Sequence, residues 1–206
     1  MYKKMIEQFL DKYADDSEDT SFAEIAHFKI SFAYNQHQDL LDELQAAAVK
    51  AVPDRGIAIE KYKAKIDAAR SASDIITLMR REREPFAELD LVKKALEFEQ
   101  ELVPEVLRRF RTNSTDNFVE AAAQFLASST LATHIADTIM GYYDEIVSPF
   151  TQGVALLILG FLANEDAIPW IIDQHSKLEK RSLSEEHDYE ECALFALIEM
   201  EQRFYT

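Results

Sequence analysis

The chain has 206 residues, 48% of them hydrophobic and 29% charged, a length and composition suited to one domain with a sizeable core. Four glycines and five prolines leave few tight turns, which argues against β-sandwiches and barrels and favours helices. A formal net charge of −16 repels phosphate backbones and anionic lipid headgroups, so we expect neither a nucleic acid nor a membrane partner.

The first third of the chain predicts three helices. Residues 1–14 carry apolar side chains at helical spacing, a longer helical pattern covers 22–49, and another covers about 58–72. Between the last two, residues 52–56 carry the clearest turn signal of the chain, with proline and glycine close together. We interpret residues 1–72 as N-terminal helices or a cap.

The remaining two thirds of the chain repeat themselves. The dipeptide Pro85-Phe86 recurs as Pro149-Phe150, 64 residues later. Further along, a second proline follows in each copy within a similar apolar and acidic context, and an Ala-rich segment follows that proline. Two landmarks in register indicate an internal duplication, which divides this part of the single domain into unit 1, residues 73–135, and unit 2, residues 136–206.

Each unit is predicted to contain four helices. The second helix begins at Pro-Phe, the third carries Pro104 or Pro169 in its first turn, and the fourth is rich in alanine. Proline is tolerated in a first turn because its missing amide has no intrahelical partner there. Four helices in about 65 residues make two antiparallel pairs of about 32 residues each, which is the period of helical-repeat solenoids.

The pattern of residues 164–172, followed by an Ala-rich helix, resembles HEAT-like repeats, in which a proline-started helix packs on an alanine-rich partner. The resemblance covers roughly residues 73–204. It implies an all-α fold of stacked antiparallel helix pairs, a HEAT-like α-α superhelix. It also implies a protein-binding or scaffold module that recognises a protein partner through a curved face.

Residues 154–163 are apolar on every side, whereas a surface helix shows only an apolar stripe. Other elements must therefore cover both sides of this segment. We expect flanking helices of the same chain to do so. The alternative is a subunit interface, which would make the protein a homodimer.

Two short motifs leave room for a metal-dependent enzyme on a helical bundle. Glu24 and His27 form a Glu-x-x-His pair, the spacing that places both side chains on one helix face in di-iron proteins. His134 and Asp137 form a reversed pair that could supply facing ligands. The alternative interpretation is that each histidine simply has a carboxylate neighbour.

No other pattern points to chemistry. The sequence lacks His-Glu-x-x-His, Cys-x-x-Cys, Gly-x-Ser-x-Gly and a Walker-type loop. We therefore predict no catalytic residue and no cofactor, and favour a protein that is not an enzyme. The lone Cys192 lies in an apolar run, as expected of an inert core thiol in a reducing cytoplasm. The N-terminus shows no signal peptide pattern.

Aromatic and basic clusters are the candidates for partner contact. Trp170, Tyr142 and Tyr143 are of the residue types that dominate binding hot spots, although we favour core packing as the interpretation of this cluster. Basic side chains cluster near predicted helix ends, where they complement the helix dipole or could form a ridge for an acidic partner. The three clusters are Arg80, Arg81 and Arg83; Arg108, Arg109 and Arg111; and Lys177, Lys180 and Arg181.

Overall fold

The computed structural model describes residues 1–13, 38–81, 84–112, 115–182, 189 and 191–206. Within these ranges the regular structure is entirely helical, as predicted, and no strand occurs. The α-helices are α1 (Tyr2–Tyr13), α2 (Gln38–Ala51), α3 (Pro53–Ala68), α4 (Ala72–Met79), α5 (Glu88–Leu96), α6 (Glu99–Arg111), α7 (Asp116–Ala127), α8 (Ala132–Tyr142), α9 (Pro149–Leu162), α10 (Ile168–Ser182) and α11 (Glu191–Tyr205). Short 3-10 turns occupy Pro85–Ala87, Tyr143–Glu145 and Glu165–Ala167.

Local signals fix several helix starts. The Ser71 hydroxyl caps α4 by accepting a hydrogen bond of 3.2 Å from the Asp74 amide. The Ser148 hydroxyl caps α9 in the same way, and Pro149 follows it as the first helical residue. Pro85 opens the 3-10 turn that leads into α5. The Pro-Phe dipeptides therefore mark helix starts in both predicted units.

The predicted turn at residues 52–56 is wrong in extent. Helix α2 ends at Ala51 and α3 already begins at Pro53, so the break is the single extended residue Val52. Proline in the first position and Asp54 in the first turn both favour an early helix start, and Gly56 is accommodated inside the helix. The predicted helix of about 58–72 corresponds to α3, which begins earlier, at Pro53, and ends earlier, at Ala68.

The prediction for Pro104 is also wrong. Helix α6 begins at Glu99, so Pro104 lies inside the helix instead of in its first turn. Leu102 and Val103, which precede the proline, have no exposed surface, and their burial stabilises the extra turn against the lost amide hydrogen bond. Pro169, in contrast, is the second residue of α10, as predicted.

Helix contacts follow a regular order. Helices α3, α5, α7, α9 and α11, which we call the odd row, each contact the next member of the row. Helix α4 contacts α6, and α6 contacts α8. At one end α2 packs on α3, and at the other end α1 packs on α10 and α11. The first helix of the chain therefore lies against the last two.

Helix α9 lies at the centre of the core. Every residue from Thr151 to Gly160 is buried, and α7, α8 and α11 pack around the helix. The expectation that helices of the same chain cover residues 154–163 is confirmed, so this segment needs no second copy of the chain. Among the described helices, none is both long and apolar enough to span a bilayer.

Candidate functional site

Of the three aromatic candidates, Tyr143 and Trp170 contact each other, whereas Tyr142 contacts α6. Tyr142 and Tyr143 are buried, whereas Trp170 is half-buried and stands edge-on to the Tyr143 ring, with 5.0 Å between ring centroids. The Tyr142 hydroxyl donates to the Leu107 carbonyl at 3.2 Å, and burial raises the pKa of that hydroxyl. Of the three, Trp170 keeps the most surface for a partner.

Tyr143 is held by a reciprocal pair of hydrogen bonds with α9. Its hydroxyl donates to the Gln152 carbonyl, and the Gln152 side-chain amide donates to the Tyr143 carbonyl, both at 3.3 Å. Gln152 is 1% exposed, so these bonds satisfy polar groups that have almost no contact with solvent. The 3-10 turn Tyr143–Glu145 is thereby fixed against the first turn of α9.

A cleft of about 360 Å³ opens beside this turn. Its lining comes from the 3-10 turn, from α9 and from one face of α10, and most of the lining residues carry a polar group at the end of an apolar stem. We name it the Gln174 cleft, after its most buried polar residue on α10. The lining residues are Tyr143, Asp144, Gln152, Gln174, Lys177, Leu178 and Lys180.

Gln174 is the unusual residue of the cleft. Its side chain is 1% exposed, and its Oε1 atom accepts no hydrogen bond from the described part of the chain. An unpaired buried carbonyl oxygen costs about 1–3 kcal/mol, so such atoms are rare and need an explanation. Gln174 is at the same time one of the residues that line the cleft.

Charges of both signs stand around the cleft. The Lys177 ammonium lies 2.8 Å from an Asp173 carboxylate oxygen one turn earlier on α10. Hydrogen bonding to Asp173, together with the attraction of Asp173 and Asp144, raises the pKa of Lys177. Lys180 is exposed one turn further along α10. The cleft therefore combines two cations, one acidic lining residue and a buried acceptor.

The basic cluster at the end of α6 is largely neutralised within the chain. Glu105 accepts hydrogen bonds from both Arg108 and Arg109, and Arg111 pairs with Glu145. The Arg108 hydrogen bonds, with help from Arg109, lower the pKa of Glu105 to about 2. These ion pairs support the structural interpretation of this cluster over a free basic ridge.

The first basic cluster is only partly described. Arg80 and Arg81 are exposed at the end of α4, whereas Arg83 lies outside the described residues. Of the third cluster, the side chain of Arg181 is likewise outside the described set.

The described part of the structure does not place the four candidate metal ligands near one another. His134 and Asp137 are exposed on α8. Glu24 and His27 lie outside the described residues. Among the residues that are described, no group of three or more His, Cys, Asp or Glu side chains could hold a metal ion.

Sequence reasoning missed Gln174 and Gln152. A signal was present in both cases: Gln174 lies between Ile171 and Leu178 on the apolar face of α10, and Gln152 lies just before the apolar run of α9. An uncharged polar residue at an otherwise buried position marks a site that needs a hydrogen-bond partner. The sequence pattern does not indicate whether that partner is protein or ligand.

No family model, no curated protein and no solved structure matches this chain.

Proposed function

We propose that this chain is a helical-repeat binding module of HEAT-like architecture, which acts by binding a protein partner. The observation that carries the proposal is the order of helix contacts. Each helix of the odd row packs on the next member of that row, and α4, α6 and α8 follow the same rule. Contact between every second helix in chain order is what two layers of stacked helix pairs produce.

This architecture favours recognition because it presents long faces instead of a single enclosed pocket. In helical-repeat proteins each unit contacts only its neighbours, and the stack offers an extended surface to a partner. The end formed by α10 and α11 is covered by α1. At the other end Leu44 on α2 and Ile57 on α3 are 51% and 70% exposed. Each of these side chains offers apolar surface that a partner could remove from water.

The proposal is tested by capture of partners from a lysate of the source cell at physiological salt, with mass spectrometry of the bound proteins. Wild-type protein is compared with the variants Leu44→Asp, Ile57→Asp and Val147→Asp. Each variant places a charge on an exposed apolar side chain, so the fold is expected to survive.

We expect one protein to be recovered in a constant ratio to the wild-type chain and to be lost with at least one of these variants. Circular dichroism of each variant provides the folding control. Recovery of the chain alone, in repeated captures with folded wild-type protein, would contradict the proposal.

A further inference from the structure

We infer that the Gln174 cleft binds a compact ligand that carries an N–H donor beside a carboxylate, the pattern found in an amino acid. The inference stands apart from the proposed partner binding, because it depends on the chemistry of one cleft and not on the stack as a whole. Three features carry it: an unpaired buried acceptor, two cations at the rim and an acidic lining residue.

The acceptor defines the first half of the ligand. Gln174 is a lining residue of the cleft and is 1% exposed, and its buried Oε1 atom has no hydrogen-bond partner among the described residues. Because an amide oxygen can only accept, the missing group must donate. Asp144 lines the same cleft and favours a donor that carries positive charge.

The two lysines define the second half of the ligand, which carries an anionic oxygen. Lys177 and Lys180 both line the cleft from the α10 side. The Lys177 ammonium already forms an ion pair with the Asp173 carboxylate, at 2.8 Å. No ion pair of Lys180 is found within the described ranges. An anionic oxygen on the ligand would therefore be met chiefly by Lys180, with Lys177 beside it.

Net charge and volume argue for a small ligand with charges of both signs. A purely anionic ligand is repelled by a chain of net charge −16. A zwitterion has no net charge and is not repelled in this way. The cleft volume of about 360 Å³ falls in the range of small-molecule sites.

The test uses Trp170, the only tryptophan of the chain, as an internal reporter. Its ring lies 5.0 Å from that of Tyr143, which lines the cleft, so a ligand that contacts Tyr143 should change the emission of Trp170. The probes are L-alanine, propionate, which lacks the amine, and ethylamine, which lacks the carboxylate. N-acetyl-L-aspartate N-methylamide is the fourth probe and represents an acidic residue within a peptide.

We expect a saturable change of emission with L-alanine, with a midpoint on the order of 1 mM for so small a ligand. Propionate and ethylamine should each bind about tenfold more weakly or not at all, because each lacks one charged group. A response to the blocked aspartate as strong as that to L-alanine would overturn the inference, because this probe is purely anionic and carries no ammonium group.

Two variants separate binding from folding. Gln174→Met removes the acceptor at similar volume, and should abolish the response without lowering the melting temperature, because the wild-type oxygen is unpaired. Lys180→Gln should weaken binding, whereas Lys93→Gln, an exposed lysine on α5, serves as the control. The inference is overturned if none of the four probes gives a saturable response, or if Gln174→Met responds like the wild-type protein.

Discussion

At residue 160 the absence of a side chain sets the distance between two helices. A Cβ atom placed on Gly160 would lie 2.7 Å from the Ala196 Cα atom and 3.0 Å from the Ala196 carbonyl oxygen. Both are backbone atoms, which cannot move aside as the end of a flexible side chain can. Helices α9 and α11 therefore approach as closely as they do because residue 160 is glycine.

We expect Gly160→Ala to lower the free energy of unfolding by about 1–3 kcal/mol, because α11 must move away from α9. Gly141→Ala is the matched control. A Cβ atom at Gly141, within α8, meets nothing within 4 Å, and alanine there should raise stability by up to about 0.5 kcal/mol through its helix propensity. Urea unfolding of both variants checks this, and equal stability of the two would refute the close approach.

Glu105 links stability to pH through its two arginine partners. Its pKa is about 2 in the folded chain, against an ordinary value of 4.5 that the unfolded chain regains. A lowered pKa in the folded state contributes stability above the ordinary value, and this contribution is lost as the pH falls from 4.5 towards 2. The carboxylate side chain is 35% exposed, so solvent screening keeps the effect small.

Accordingly, the wild-type protein should lose about 0.5–1 kcal/mol more of its stability between about pH 6 and pH 2 than Glu105→Gln does. Urea unfolding at the two pH values measures the difference. The exposed Glu101 on the same helix gives the control variant Glu101→Gln. A Glu105→Gln variant that follows the wild-type pH dependence would show that the arginine pairs contribute nothing.

Helix α9 is buried on every side from Thr151 to Gly160. Leu159 has no exposed surface, and a carboxylate there would be charged, unpaired and surrounded by apolar side chains. We expect Leu159→Asp to abolish the folded state, as seen in the loss of cooperative thermal unfolding by circular dichroism. Val147→Asp, at a position 74% exposed, should unfold like the wild-type protein. A stable, cooperative Leu159→Asp variant would contradict the core assignment.

A side chain of α11 also caps the C-terminal end of α9. Arg203 on α11 donates from Nη1 to the carbonyl oxygens of Gly160 and Ala163, at 2.6 and 3.2 Å. Carbonyls at a helix end have no intrahelical donor, and a cation placed there also complements the helix dipole.

Replacing this donor tests the contribution of the cap. Arg203→Met should lower the free energy of unfolding by about 1–2 kcal/mol, because two carbonyls lose their donor while much of the side-chain packing is kept. Arg80→Met, at an exposed arginine, should have little effect, and Arg203→Lys should recover part of the loss. Chemical denaturation compares the three, and equal stability of Arg203→Met and the wild-type protein would exclude the cap.

At the scale of elements, much of the fold was predictable because its signals are local. Serine caps and Pro-Phe dipeptides mark helix starts within a few residues of sequence, and the all-apolar run of 154–163 predicted a buried helix. Pro104 was misplaced because buried residues before it extend α6 backwards, which is a tertiary effect. The start of α3 at Pro53 was missed because a proline-glycine segment indicates a turn unless the flanking helices are known.

The candidate site was less predictable because it depends on the whole molecule. Aromatic composition pointed to Tyr142, Tyr143 and Trp170, but their exposure is set by how α9 and α10 pack, and two of the three are buried. The Gln174 cleft needs a 3-10 turn and two helices to meet. No pattern in one segment contains that information.

At the scale of the whole molecule, the central proposal is that the stacked helices bind a protein partner. The most direct test takes the partner recovered from the lysate, produces it in purified form and titrates it into the purified chain by isothermal calorimetry. We predict saturable binding with a stoichiometry near one to one and a negative heat-capacity change from buried apolar surface. No measurable binding between the two purified, folded proteins would contradict the account.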